Sequence, residues 1–312
     1  MKSLATARAP AAPPRAALYE SHYLTATDPA GGHALWLRCT SLKRRGDKPR
    51  PTVWLTWFDR ASPRPRAIRV TAPEPVEDPG VGWASSRFGE LSPSGARGMI
   101  EDASWSLTWE RLAPELPYLP ARWMYDRPLP RSNGVALIPR ATVHGTVTFE
   151  GQEPVSIDGW DAMLGHNWGS EHPDHWTWIH AAGLGADGSG WFDFALARVK
   201  LGPLLTPWLG GGALHLNART HPMARRGRVR REVSGELTSI RLPLAGGLTL
   251  ELEITAPAAA TVSWDYASPS GRGRDVRNCS VADGRLILRD DGAEHVLELE
   301  GRVAVEHGSP AG

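Results

Sequence analysis

Alternation of apolar and polar residues with a period of two is the feature that most constrains this chain. In SWSLTWE, Trp105, Leu107 and Trp109 fall on one side, and Ser104, Ser106, Thr108 and Glu110 on the other. The pattern recurs in TVWLTWFD (Thr52 to Asp59), ATVHGTVTFE (Ala141 to Glu150) and WFDFALARV (Trp191 to Val199). It returns in LTLELEIT (Leu248 to Thr255), RLILRD (Arg285 to Asp290) and HVLELEGRVAV (His295 to Val305). DPAGG, SPSG, ADGSG and DDGAE punctuate these runs at hairpin spacing. No segment carries a helical stripe of three turns, and 33 Gly and 27 Pro disfavour helix interiors. The chain is therefore expected to be all-β and mainly antiparallel, with too many strands for one small barrel.

Charge and cysteine usage narrow the partners. Lys and Arg (35) nearly balance Asp and Glu (34), so no long-range field draws in nucleic acid or an anionic membrane. The basic run MARRGRVRRE, Met223 to Glu232, reads as a solvated loop between strands. No window approaches the ~18 consecutive apolar residues of a membrane-spanning helix. Cys39 and Cys279 make no disulfide framework, and MKSLATARAPAAPPRAAL lacks the apolar core of a secretory signal. A cytoplasmic location follows as an expectation.

Residues 1–17 read as a flexible tail. The proline-rich connector 112–134, LAPELPYLPARWMYDRPLPRSNG, cannot be a central strand and is expected across the outside or mouth of the first sheet system. A boundary near Glu153 to Asp158 divides the rest into a first β unit, 18–155, and a second, 156–308.

The second unit as drawn contains GHNWGSEHPDHWTWIH, Gly165 to His180. Strand alternation in HWTWIHA sets Trp176, Trp178 and His180 on one face and His175, Thr177 and Ile179 on the other. The next strand can continue that wall through Trp191 and Asp193. The preceding GHNWGSEHPD reads as a loop at a barrel mouth, with glycines bracketing His166, Asn167 and Trp168.

Three uses of this segment compete. His166, His172, His175 and His180 could ligate a metal, but H-x5-H-x2-H-x4-H is no familiar ligand spacing, and no metal is expected. His166 and Asn167 could instead satisfy buried backbone groups while the tryptophans plug a barrel. The third use is an acid–base centre at the end of an apolar cavity, with His166, Glu171, Asp161 and Asp174 as candidate proton carriers. The 14 Trp suit deep packing or an indole-lined hollow, and indole faces stabilise developing positive charge.

HNWG, followed by a tryptophan-rich strand, resembles the AttH-like family, which includes carotenoid 1,2-hydratase (hydroxyneurosporene synthase). YESHYLTATDPAGGHALWLR (Tyr19 to Arg38) and MYDRPLPRSNGVALIPRATVHGTVTFEG (Met124 to Gly151) extend the resemblance to about a third of the chain. It implies two lipocalin-like antiparallel β-barrels side by side, a cavity for a hydrophobic ligand, and neither metal nor organic cofactor. By position, His166, Asn167 and Trp168 would lie at that cavity. In the hydratases an acidic residue immediately precedes HNWG; here Leu164 and Gly165 stand there, and the nearest acids are Asp161 and Glu171.

The expected activity is acid–base chemistry on a bulky hydrophobic small molecule: hydration, cyclisation or isomerisation of a C=C system. His166 or Glu171 would donate the proton, with Asp161 as a further acid and Asn167 orienting water or substrate. Trp168, Trp176, Trp178, His180 and Trp191 would shape the cavity. A non-catalytic lipocalin-like carrier of a hydrophobic ligand is the alternative, because one fold serves both uses.

Overall fold

The computed structural model describes residues 17–74, 84–127, 129–290 and 292–312. Residues 1–16 of the expected tail, Pro128 of the connector and Asp291 of the DDGAE turn lie outside the described residues.

Eleven strands make the first sheet: β1 Leu18–Thr27, β2 His33–Lys43, β3 Arg50–Asp59, β4 Arg66–Thr71, β5 Ala84–Ser86, β6 Gly89–Leu91, β7 Gly95–Ile100, β8 Ala103–Arg111, β9 Leu116–Pro117, β10 Ser132–Phe149 and β11 Val155–Gly169. Their order is β4-β3-β2-β1-β11-β10-β8-β7-β6-β5, with β9 paired on β10.

The second half adds β12 His175–Leu184, β13 Gly190–Arg198, the small hairpin β14 Lys200–Leu201 and β15 Leu204–Leu205, β16 Leu209–Leu216, β17 Arg219–Pro222, β18 Arg230–Ser234, β19 Leu237–Pro243, β20 Thr249–Thr255, β21 Val262–Ala267, β22 Gly273–Asp290 and β23 Ala293–Pro310. The second sheet runs β17-β16-β13-β12-β23-β22-β20-β19-β18, with β21 paired on β22. Every pairing is antiparallel.

The fold is all-β and lipocalin-like, and each sheet curls toward closure. In the first, β4 approaches β7 and β2 approaches β5. In the second, a bridge between Met223 and Leu244 ties the segments following β17 and β19 together.

The alternation read from the sequence sets which side of each strand is buried. Trp105 and Leu107 are buried while Ser106 and Thr108 are exposed. One core, inside the first sheet, holds Leu24, Leu35, Leu55, Val135, Leu137, Leu164 and Trp168. Another fills the second sheet with Ile179, Phe192, Phe194, Leu214, Leu250, Leu286 and Val303. Fully burying a side chain of this size contributes about 1.5–3 kcal/mol. The outer face of β1–β3 packs on the outer face of β12 and β21–β23, forming a seam between the sheets.

The boundary differs from the one drawn near residue 155. Strand β11 runs to Gly169 and pairs with β1 from Tyr19↔Gly169 to Thr27↔Asp161, so HNWG belongs to the first sheet. The physical reason is non-local: β1 leaves an open edge that only a distant strand fills, and β11 supplies it. The sheets change over in the turn at residues 170–174. The connector, expected across the outside or mouth, instead places Tyr118 in the seam, beside Met163, Trp178 and Ala304.

Candidate functional site

HNWG is strand, not loop. Its glycines mark close approach instead of a turn: a Cβ on Gly165 would lie 2.1 Å from the Tyr23 ring, and one on Gly169 2.0 Å from the Arg131 carbonyl oxygen. Alternation then turns His166 and Trp168 toward the first core and Asn167 toward the second sheet. His166 is 2% exposed, and its Nε2 lies 3.0 Å from Glu20 Oε1. Its ring stacks between His22, at 4.0 Å, and Trp168, at 4.4 Å. Burial pushes the His166 imidazole down to about 3.

Glu20, His22 and His166 bring ligand atoms within 4.8 Å of one another, the one such group of metal-ligating atoms among the described residues. The two rings are nearly parallel, 7° apart, so a metal in the plane of one ring stands off the plane of the other. The four histidines weighed as ligands from the sequence fall in four different surroundings. His166 lies in the first core, His172 lies at a tilt against Tyr19 in the seam, His175 is half-buried, and His180 faces Asp193.

The face reading of β12 holds: Trp176, Trp178 and His180 all project into the seam. Trp176 Nε1 donates to Glu306 Oε1 at 2.9 Å, and Glu306 Oε2 accepts from Tyr266 at 3.0 Å and Asn278 at 3.4 Å. Trp178 meets the edge of Tyr23 at 5.7 Å and stacks on His180. His180 Nδ1 lies 3.2 Å from Asp193 Oδ2, and Tyr118 donates to Asp193 Oδ1 at 2.5 Å. Trp191 is buried on the next strand against His215.

Of the three carboxylates proposed as proton carriers, Asp174 accepts from the Lys200 backbone N–H at 2.6 Å, and the other two face guanidinium groups. Glu171 lies 3.5 Å from Arg274, and Asp161 3.8 Å from Arg140 and 3.6 Å from Arg302. Burial raises the Asp161 carboxyl against the pull of Arg140 and Arg302.

A cleft opens elsewhere along the seam. It encloses about 460 Å³ between β1–β4 on one side and His172 with β21 on the other. None of the residues singled out from the sequence for catalysis or ligand binding lines it, and Trp54 is the one tryptophan in its wall. Tyr19, Arg38, Trp54, His172 and Tyr266 form the floor. Above it the cross-strand partners Thr40, Thr52 and Thr71 make a polar band, and Leu42 pairs with Arg50 at the next level. Arg44, Asp47 and Lys48, from the β2–β3 turn, stand at the rim.

Arg38 dominates the floor. It is 5% exposed, donates from Nε to Ser21 at 2.7 Å, and lies 4.0 Å over the Tyr266 ring and 5.7 Å from Trp54. Among the described residues no carboxylate comes within ion-pair distance of it. Tyr19 bonds Ser132 at 2.8 Å, and burial pushes its phenol up to about 12. Burial, with Arg38 and Arg274 adding to it, holds His172 at about 3, so its ring is neutral.

These floor residues went unremarked in the sequence because they come from strands far apart in the chain. Only His172 had been weighed, as a metal ligand. One local signal was present: KRRGDKPR, Lys43 to Arg50, is a basic hairpin turn flanked by aromatic strands.

No protein-family model matches the chain, and no curated protein matches it in sequence. Solved structures do match. CghA in complex with Sch210972 superposes with a TM-score of 0.58 at 14% identity, covering 94% of this chain and 88% of that one. An AttH-like protein from Nitrosomonas europaea gives 0.54 at 18% identity, over 93% and 91% of the two chains. Kievitone hydratase from Nectria haematococca gives 0.53 at 10% identity, over 100% and 93%. The likeness is one of fold, and it is the fold that the HNWG resemblance implied.

Proposed function

We propose that the chain binds an amphipathic small molecule with a bulky unsaturated body and an anionic group in the seam cleft, and rearranges it by acid–base chemistry. The observation that carries this is Arg38. A buried charge costs several kcal/mol unless it is paired, and among the described residues this one has no carboxylate within ion-pair distance. A carboxylate, phenolate or enolate entering the cleft supplies the missing partner and gains charge-assisted hydrogen bonds.

Around that anchor, Tyr19 and Tyr266 are phenols held protonated, and His172 is a neutral base. That set suits proton transfer during hydration, cyclisation or isomerisation of a C=C system. Arg38 stabilises a developing oxyanion, and Trp54 gives the apolar body a flat surface. CghA and kievitone hydratase, the latter a hydratase by name, lend the reading their fold.

A carrier without chemistry is favoured by one observation: burial moves His172 down and Tyr19 up, both away from neutrality, where an acid–base catalyst works best. Analysis of ligands recovered from the protein separates the two, because a carrier returns its ligand unchanged.

Binding itself is tested with cis-parinaric acid, a fluorescent polyene carboxylate, and its methyl ester. The acid should bind about tenfold or more tightly than the ester, and Arg38→Met should erase the difference. Equal binding of acid and ester by the unaltered chain refutes the anchor.

A further inference from the structure

We infer that the rim of the cleft is a second anion site, built to take a phosphate ester, so that the ligand arrives as an apolar body carrying a phosphorylated head. This rests on the cleft being the ligand site, and deepens that reading by naming the substrate class. Five cationic side chains, Arg38, Arg44, Lys48, Arg50 and Arg69, face two acids in the cleft, Asp47 and Asp265, on a chain whose overall charge is only +1. Single-sign charge concentrated at a concave surface focuses the field on what enters it.

The cations are not spread evenly. Arg38 sits at the floor and Arg69 beside it, over Trp54 at 5.0 Å and tied to the Asp265 carbonyl at 3.2 Å. Arg44, Lys48 and Arg50 stand at the other end, beyond the threonine band. From Arg38 to Leu42 the strand climbs four residues, about 13 Å, before the turn begins. Among the described residues Arg44 and Arg50 have no carboxylate within ion-pair distance. One anionic group at Arg38 therefore leaves Arg44 and Arg50 unmatched. Arg44 in the turn and Arg50 at the start of β3, brought to one mouth, fit the several oxygens of a phosphate or diphosphate better than a lone carboxylate.

Two sources share that chemistry: a prenyl diphosphate, and an acyl thioester on a phosphopantetheine arm. Titration calorimetry of the full chain at low salt compares farnesyl diphosphate with farnesol, and octanoyl-CoA with octanoate. At least one phosphorylated member should bind about tenfold or more tightly than its partner, with the gain shrinking as salt rises. The member that gains identifies the source. The triple variant Arg44→Gln, Lys48→Gln, Arg50→Gln should remove the gain. No gain in either pair, or a gain that survives the triple variant, overturns the rim site. cis-Parinaric acid run in the same series separates the two failures: if its Arg38-dependent binding persists, only the rim proposal falls, and if it too is absent, both fall.

Discussion

The guanidinium of Arg38, on β2, stands 4.0 Å from the centre of the Tyr266 ring, on β21, and this contact joins the two sheets at the floor of the cleft. Both residues are buried, and each is anchored within its own sheet, Arg38 by Ser21 and Tyr266 by Glu306. The cleft is therefore bounded by two separately supported walls, as a preorganised binding site requires.

Removing Arg38 should weaken the site more than the fold. Arg38→Met deletes an unpaired buried charge and keeps a similar volume, so stability should change by less than about 1 kcal/mol or rise. Affinity for a carboxylate ligand should fall about tenfold or more in the same variant. Urea unfolding beside a fluorescence titration reads both numbers.

Glu306 should behave in the opposite way. Its carboxylate accepts from Trp176, Tyr266 and Asn278 at once. Glu306→Gln replaces one acceptor oxygen with a donor facing other donors, at a cost of about 1–3 kcal/mol. A lower urea midpoint with an unchanged m-value is the expected result.

The buried histidines set an acid limit. Burial holds His166, His172 and His307 at about 3, against 6.5 for a solvated imidazole. Between those values the unfolded chain takes up protons that the folded chain refuses. Stability is thus fully present above pH ~6.5 and drains as pH falls toward 3, each ring adding a slope of up to about 1.4 kcal/mol per pH unit. Urea midpoints measured across this window should fall steeply, and His166→Gln should reduce the slope by about one proton. A flat profile contradicts the burial of these rings.

Tyr118 and Asp193 should prove strongly coupled. Asp193 is fully buried, and Tyr118 Oη is its closest donor, at 2.5 Å. Tyr118→Phe removes that donor and leaves the carboxylate beside His180 Nδ1, 3.2 Å away, and should cost about 2–4 kcal/mol. Adding Asp193→Leu removes both polar partners, so the double variant should cost at least ~1 kcal/mol less than the two singles summed, as a double-mutant cycle by urea unfolding reads directly.

Much of this architecture was legible in the residues. Alternation assigned the faces of SWSLTWE and of HWTWIHA correctly, because a strand's side chains obey a strict period whatever they pack against. The HNWG segment misled for a physical reason: Gly165 and Gly169 resemble turn residues, whereas here they make room for the Tyr23 ring and the Arg131 backbone. Neither obstacle is visible locally. The cleft was hidden for a related cause, since Arg38, His172 and Tyr266 meet only through the packing of one sheet on another. The tryptophans, expected around a hollow, mostly became core or seam: Trp168 on His166, Trp191 on His215, Trp178 on Tyr23.

Where the ligand sits can be read from the indole N–H signals of the protein labelled with 15N-tryptophan, assigned by single Trp→Phe variants, during titration with cis-parinaric acid. The Trp54 signal should move on binding while those of Trp168 and Trp191 stay fixed. Movement of Trp168 with Trp54 unchanged would put the ligand beside His166 inside the first sheet, and would contradict the assignment of the seam cleft as the binding site.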